Sequence, residues 1–82
     1  MTPKMVAALS SAEEAFVFSG LERTVAGWRS THPRAGITDY HSFASVNALV
    51  EHGYLTLYGN GKNAHISDLG SQALQRWLEA RR

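Results

Sequence analysis

Four histidines and no cysteine stand in a chain of 82 residues. The first chemistry to weigh is therefore metal binding by imidazole and carboxylate, because thiolate ligation and thiol catalysis have no residue to carry them. His41 and His52 fall eleven positions apart in what reads as one helix, which at ~1.5 Å per residue separates them by about 16 Å. They cannot share an ion. His32 and His65 sit alone, in a loop-like and a hairpin-like run, and neither has a carboxylate at ligand spacing. No metal site is expected. Glu13 and Glu14 are adjacent and splay by ~100° on a helix, and the chain holds neither a Gly-rich phosphate loop nor a nucleophile elbow. Neither an enzyme nor a cofactor is expected.

Nucleic acid is the next class to test. The formal charge is only +1, with eight Lys and Arg against seven Asp and Glu, whereas duplex binding relies on several cations that neutralise phosphates. The placement of the charges must decide. Lys62, Arg34, Lys4, Arg23 and Arg29 are the available sources. Membranes are a poorer fit, since no apolar run approaches the ~18 residues of a span and "MTPKMVAALSS" lacks the basic and apolar regions of a signal peptide. Cytoplasmic residence is the expectation.

Those side chains must be positioned by a few short elements, which the apolar periodicity delimits. Thr2 followed by Pro3 caps a first helix, whose stripe of Met5, Val6, Leu9 and Ala12 runs to between Ser11 and Ala15. Phe16 to Gly36 is rich in aromatic and β-branched residues, punctuated by Gly20 and Gly27, and reads as extended structure with Trp28 half-buried. His32 to Thr38 reads as a loop. A second helix, 42–52, is capped by Asp39 or Ser42, buries Phe43, Val46, Leu49 and Val50, and is closed by Gly53. The period then changes to two: Leu55 and Leu57 point one way, Tyr54, Thr56 and Tyr58 the other. Asn60-Gly61 tolerates positive φ and marks the hairpin turn, after which Ala64 to Ile66 returns. Ser67 caps a last helix with Asp68 in its first turn and an apolar face of Leu69, Ala73, Leu74, Trp77 and Leu78. Arg76, Arg81 and Arg82 complement its C-terminal dipole. One domain spans 1–82, and at this length only about 60% of the unfolded surface is buried.

The order helix, Gly, strand, glycine-rich tip, strand, helix resembles a winged helix-turn-helix domain. "SVNALVEHGYLTL" is similar to a recognition helix with its closing turn, "YGNGKNAH" to a wing tip, and "ISDLGSQAL" to the "LT-x-x-G-x-x-x-L" ending of small bacterial and phage members. The resemblance covers Ser42 to Leu78, roughly half the chain. It implies an α+β fold with about three helices and a β-hairpin wing in the C-terminal half. The departure lies upstream, where a full helix is usual: here that helix is short or strands replace it.

The resemblance further implies a transcriptional regulator of phage or bacterial type that binds double-stranded DNA, with helix 42–52 in the major groove and wing 58–64 on the backbone. Stepping 100° per residue from a buried Val46 turns His41, Ala44, Ser45, Asn47, Ala48, Glu51 and His52 outward. Of these, Asn47 can pair with adenine, and Ser45, His41 or His52 can reach base edges or phosphates. Lys62 at the wing tip and Arg34 before the helix are the phosphate candidates. A helix face without Lys or Arg, and with Glu51, suits the alternative equally: a winged-helix module that binds protein, such as a phage-encoded inhibitor of a host defence or nucleic-acid-processing complex. Trp77 offers an anchor for a homodimer through paired terminal helices.

Overall fold

The computed structural model describes residues 1–36 and 39–81. Three helices, α1 (Pro3–Glu14), α2 (Phe43–Glu51) and α3 (Asp68–Ala80), accompany five strands, β1 (Leu21–Thr24), β2 (Gly27–Ser30), β3 (Tyr40–His41), β4 (Leu55–Tyr58) and β5 (Asn63–Ile66). The strands form one antiparallel sheet in the order β3-β2-β1-β5-β4. The α+β class and the C-terminal hairpin are as expected. Strands occupy the segment upstream of α2, so the helix that precedes a recognition helix in a helix-turn-helix is absent from the described residues.

Each helix begins where a hydroxyl can satisfy an orphan amide. Thr2 accepts from Met5 N at 3.2 Å, Ser42 from Ser45 N at 3.1 Å and Ser67 from Gly70 N at 3.0 Å. Of the two caps considered for α2, the structure selects Ser42. Gly53, at φ 79°, ends that helix and turns the chain into β4, a reversal that Tyr54 N closes by donating to Leu49 O at 2.9 Å.

Strand register sorts the sheet into two faces. Leu21, Trp28, Ser30, Ala64, Ile66 and Leu55 are buried and share the face beneath the helices. On the opposite face one row crosses all five strands in register: Tyr40, Arg29, Glu22, Asn63 and Tyr58. The core joins Met5, Val6, Leu9 and Ala12 of α1 to Val46 and Leu49 of α2, to the buried sheet face and to Leu74 of α3. Leu9, Leu21, Leu49 and Leu55 are its largest fully enclosed side chains, each stabilising by about 2–3 kcal/mol relative to exposure.

Several expectations need correction. Phe16, Val17 and Phe18 lie in an exposed turn and Val25 at the tip of the β1–β2 hairpin, outside any strand. Their β-branched and aromatic character reports local preference, which the glycine-flanked turns override. Trp28 is buried rather than half-buried. Phe43 is 41% exposed and Leu57 44%: Phe43 opens α2 beside the β1–β2 turn, and Leu57 lies on the edge strand β4, beyond its buried cross-strand neighbour Ala64. Leu69 and Leu78 are exposed as well, so α3 seats itself on Leu74, with Ala73 and Trp77 half-buried. Tyr54 precedes β4 and packs on the core, away from Tyr58. Arg81 lies over the Trp77 ring at 4.6 Å, while Thr38 and Arg82 fall outside the described residues.

The glycine of "ISDLGSQAL" has a definite cause. Gly70 is buried in the first turn of α3, and a Cβ there would run into the backbone of Tyr54. The same junction is tied by Ser67 N to Tyr54 O at 3.0 Å and by the Ser67 hydroxyl to Gly53 O at 2.6 Å. Helix propensity favours alanine over glycine by about 1 kcal/mol, but backbone cannot yield as a side-chain end can. Gly70→Ala is therefore expected to destabilise by about 1–3 kcal/mol, lowering the melting midpoint by several degrees in a thermal denaturation. An unchanged or raised midpoint would refute the close approach.

Candidate nucleic-acid interface

The strand directions bring three features to one end of the molecule. β1 runs toward its turn at Thr24–Gly27, β4 runs toward the tip at Gly59–Lys62, and α2 starts at the same end, since it runs antiparallel to β4. The tip owes its shape to three successive residues with positive φ, Gly59 (59°), Asn60 (59°) and Gly61 (82°). Such a conformation is open to glycine and tolerated by asparagine. The turn is closed by Lys62 N donating to Gly59 O at 3.2 Å.

Lys62 is exposed at this tip, and its carbonyl accepts from Arg23 N at 2.8 Å. That bond sets two cations side by side on neighbouring strands. Arg23 in turn shares a shallow depression with Thr24, Val25 and Phe43, the first residue of α2. The end of the molecule thus combines Arg23, Lys62 and the positive end of the α2 dipole. Periodicity in the sequence placed the β4–β5 hairpin but not Arg23, whose position depends on the β1–β5 pairing between residues about forty apart.

The expected site residues are not all gathered here. Arg34 follows β2 on the loop beyond Ser30, at the opposite end of the sheet from Lys62, with its amide held by His32 Nδ1 at 3.0 Å. His52 is the C-cap of α2, a full helix length from Ser42, and stacks on Tyr54 at 5.5 Å. Asn47 is exposed, and with Ala44 and Glu51 it forms the outward face of α2. Ser45 sits on the flank toward α1 and takes a 2.8 Å hydrogen bond from the Ser42 hydroxyl. Ala48 packs against the core. Thus the outward face is narrower than the helical wheel implied, and it holds no cation.

His41 is displaced furthest from expectation. It belongs to β3, not to α2, and shares a 2.8 Å hydrogen bond between its Nε2 and the Ser11 hydroxyl of α1. The pair lines a groove of about 480 Å³ together with Lys4, Ala7, Asp39 and Ser42. Among the described residues no three His, Asp or Glu side chains gather at metal-binding spacing, and no helix is long and apolar enough to cross a membrane.

Burial pushes the His41 imidazole below its ordinary value of 6.5, against a smaller upward pull from the Asp39 carboxylate. A depressed folded pKa means that the unfolded chain takes up the proton first. The contribution of neutral His41 is complete above pH 6.5, and it is lost progressively as the pH falls from there through the folded value. Melting curves recorded from neutral pH downward should show this acid-side loss, and His41→Gln, which removes the titration, should reduce it. A variant that follows the wild-type pH dependence unchanged would locate the acid sensitivity elsewhere.

Comparison with protein-family models, with curated proteins and with solved structures finds no significant match to the chain.

Proposed function

We propose that the chain is a small winged-helix domain of the transcription-regulator type that docks on duplex DNA through one end. The hairpin tip lies along the sugar–phosphate backbone, and the start of α2 enters the major groove. The juxtaposition of Arg23 and Lys62 beside the α2 N-terminus carries this reading. Two cations and a helix dipole converge on one edge, which is the arrangement that positions a protein on phosphates. Asn47, exposed on α2, is the side chain with the two-sided donor and acceptor pattern that matches adenine.

A second reading is supported by a separate observation. The outward residues Ala44, Asn47 and Glu51 carry no positive charge, and the exposed apolar side chains of Val25 and Phe43 lie together at the same end. A surface of mixed apolar, polar and acidic character suits a protein partner better than a polyanion. In this reading the same fold is an inhibitory or adaptor module that acts on a protein complex.

Salt separates the two. Duplex affinity governed by phosphates falls steeply with ionic strength, and replacing Arg23 or Lys62 by alanine should each lower the slope of log affinity against log salt by about one. Arg23→Glu with Lys62→Glu should abolish binding, whereas Arg34→Glu, at the other end of the sheet, should leave it nearly unchanged. Duplex binding absent at low salt, or insensitive to the double charge reversal, would reject the first reading in favour of the second.

A further inference from the structure

The sheet has two edges, and they are managed differently. β3 is only two residues long, which is itself a way to blunt an edge. β4 occupies the other edge and pairs only with β5 among the described residues. Its sequence, Leu55-Thr56-Leu57-Tyr58, holds neither charge nor proline, and none of its residues has positive φ. The usual safeguards against strand addition, a lysine, a proline or a bulge, are absent. Thr56, Leu57 and Tyr58 are all exposed, Leu57 on the helix side and Tyr58 on the other.

We propose that this edge is a self-association surface, on which β4 of a second copy of the chain pairs antiparallel to extend the sheet across a two-fold axis. Charge selects the direction. Glu51 precedes the strand and Lys62 follows it across the hairpin tip. Antiparallel pairing sets the acidic flank of each copy against the basic flank of the other, twice by symmetry, while parallel pairing opposes like with like. Register follows from the pleat. The two-fold must keep the helices of both copies on one side of the sheet, so residues facing each other across it share a face. Placing Leu57 opposite Leu57 of the second copy meets this condition and removes two exposed leucines from water. A four-residue ladder covers far less than the ~800 Å² per partner of a standard interface, so the pairing is weak and concentration-dependent.

The inference rests on the fold and the edge, not on the duplex reading. Sedimentation of the full chain from micromolar to near-millimolar concentration should show the mass rising from one chain toward two. Amide exchange in Leu55–Tyr58 should slow over the same range. Leu57→Lys and Leu57→Glu each place like charges at the axis and should weaken association about tenfold or more, with an unchanged far-ultraviolet spectrum. Mixed together, the two variants should associate again, since the axis then joins opposite charges. A wild type that stays monomeric throughout overturns the proposal. So does association that survives both Leu57 variants but disappears with Leu78→Lys, which would assign the contact to α3.

Discussion

The close seating of α1 on the sheet is the constraint from which the other contacts follow. Ala8, Leu9, Ala12 and Ala15 have no exposed surface, and neither has Ala64 on β5. Side chains that end at Cβ let a helix approach a strand closely, so contact extends over backbone as well as over the larger Leu9 and Leu21. α1 then serves as the common neighbour of α2, α3, β5 and β2. Enlarging any of these alanines would force elements apart at near-native packing density. With no disulfide and a chain of 82 residues, little else is available to compensate.

That seating also determines where function can reside. With α1 central, α2 is held to one side with its start beside the hairpin tips, and α3 is carried outward on Leu74 and the Tyr54–Gly70 junction. The surfaces left to a partner are the end that bears Arg23 and Lys62, the narrow outward strip of α2, and the β4 edge. The first is cationic, the second polar with the acidic Glu51, and the third uncharged with an exposed Leu57.

Much of this arrangement was legible in local sequence. The caps Thr2 and Ser67, the closing Gly53 and the Asn60-Gly61 tip all act within a few residues and follow from local sequence, whereas the choice between Asp39 and Ser42 for α2 does not. What could not be read depends on contacts distant in sequence. His41 looked like a helical neighbour of Ser45, yet its pairing with Trp28 makes it a strand residue bonded to α1. Phe43, Leu69 and Leu78 fit an apolar stripe, but periodicity gives the direction of a face and not how far the neighbouring element extends over it. Arg34 and Lys62 looked like partners in one interface, and only the register of β1 with β2 and β5 shows them at opposite ends.

The uncovered side of the sheet has its own consequence. The row of Tyr40, Arg29, Glu22, Asn63 and Tyr58 crosses every strand without contributing to the enclosed core. Apart from Asn63, whose Nδ2 donates to Ser19 O at 3.2 Å, its residues serve solubility and strand pairing, so much of this face can be rewritten while the alanine-lined interior stays fixed. The fold thus separates a conservative half from a permissive one, and new recognition could be grafted onto the latter without redesigning what holds the chain together.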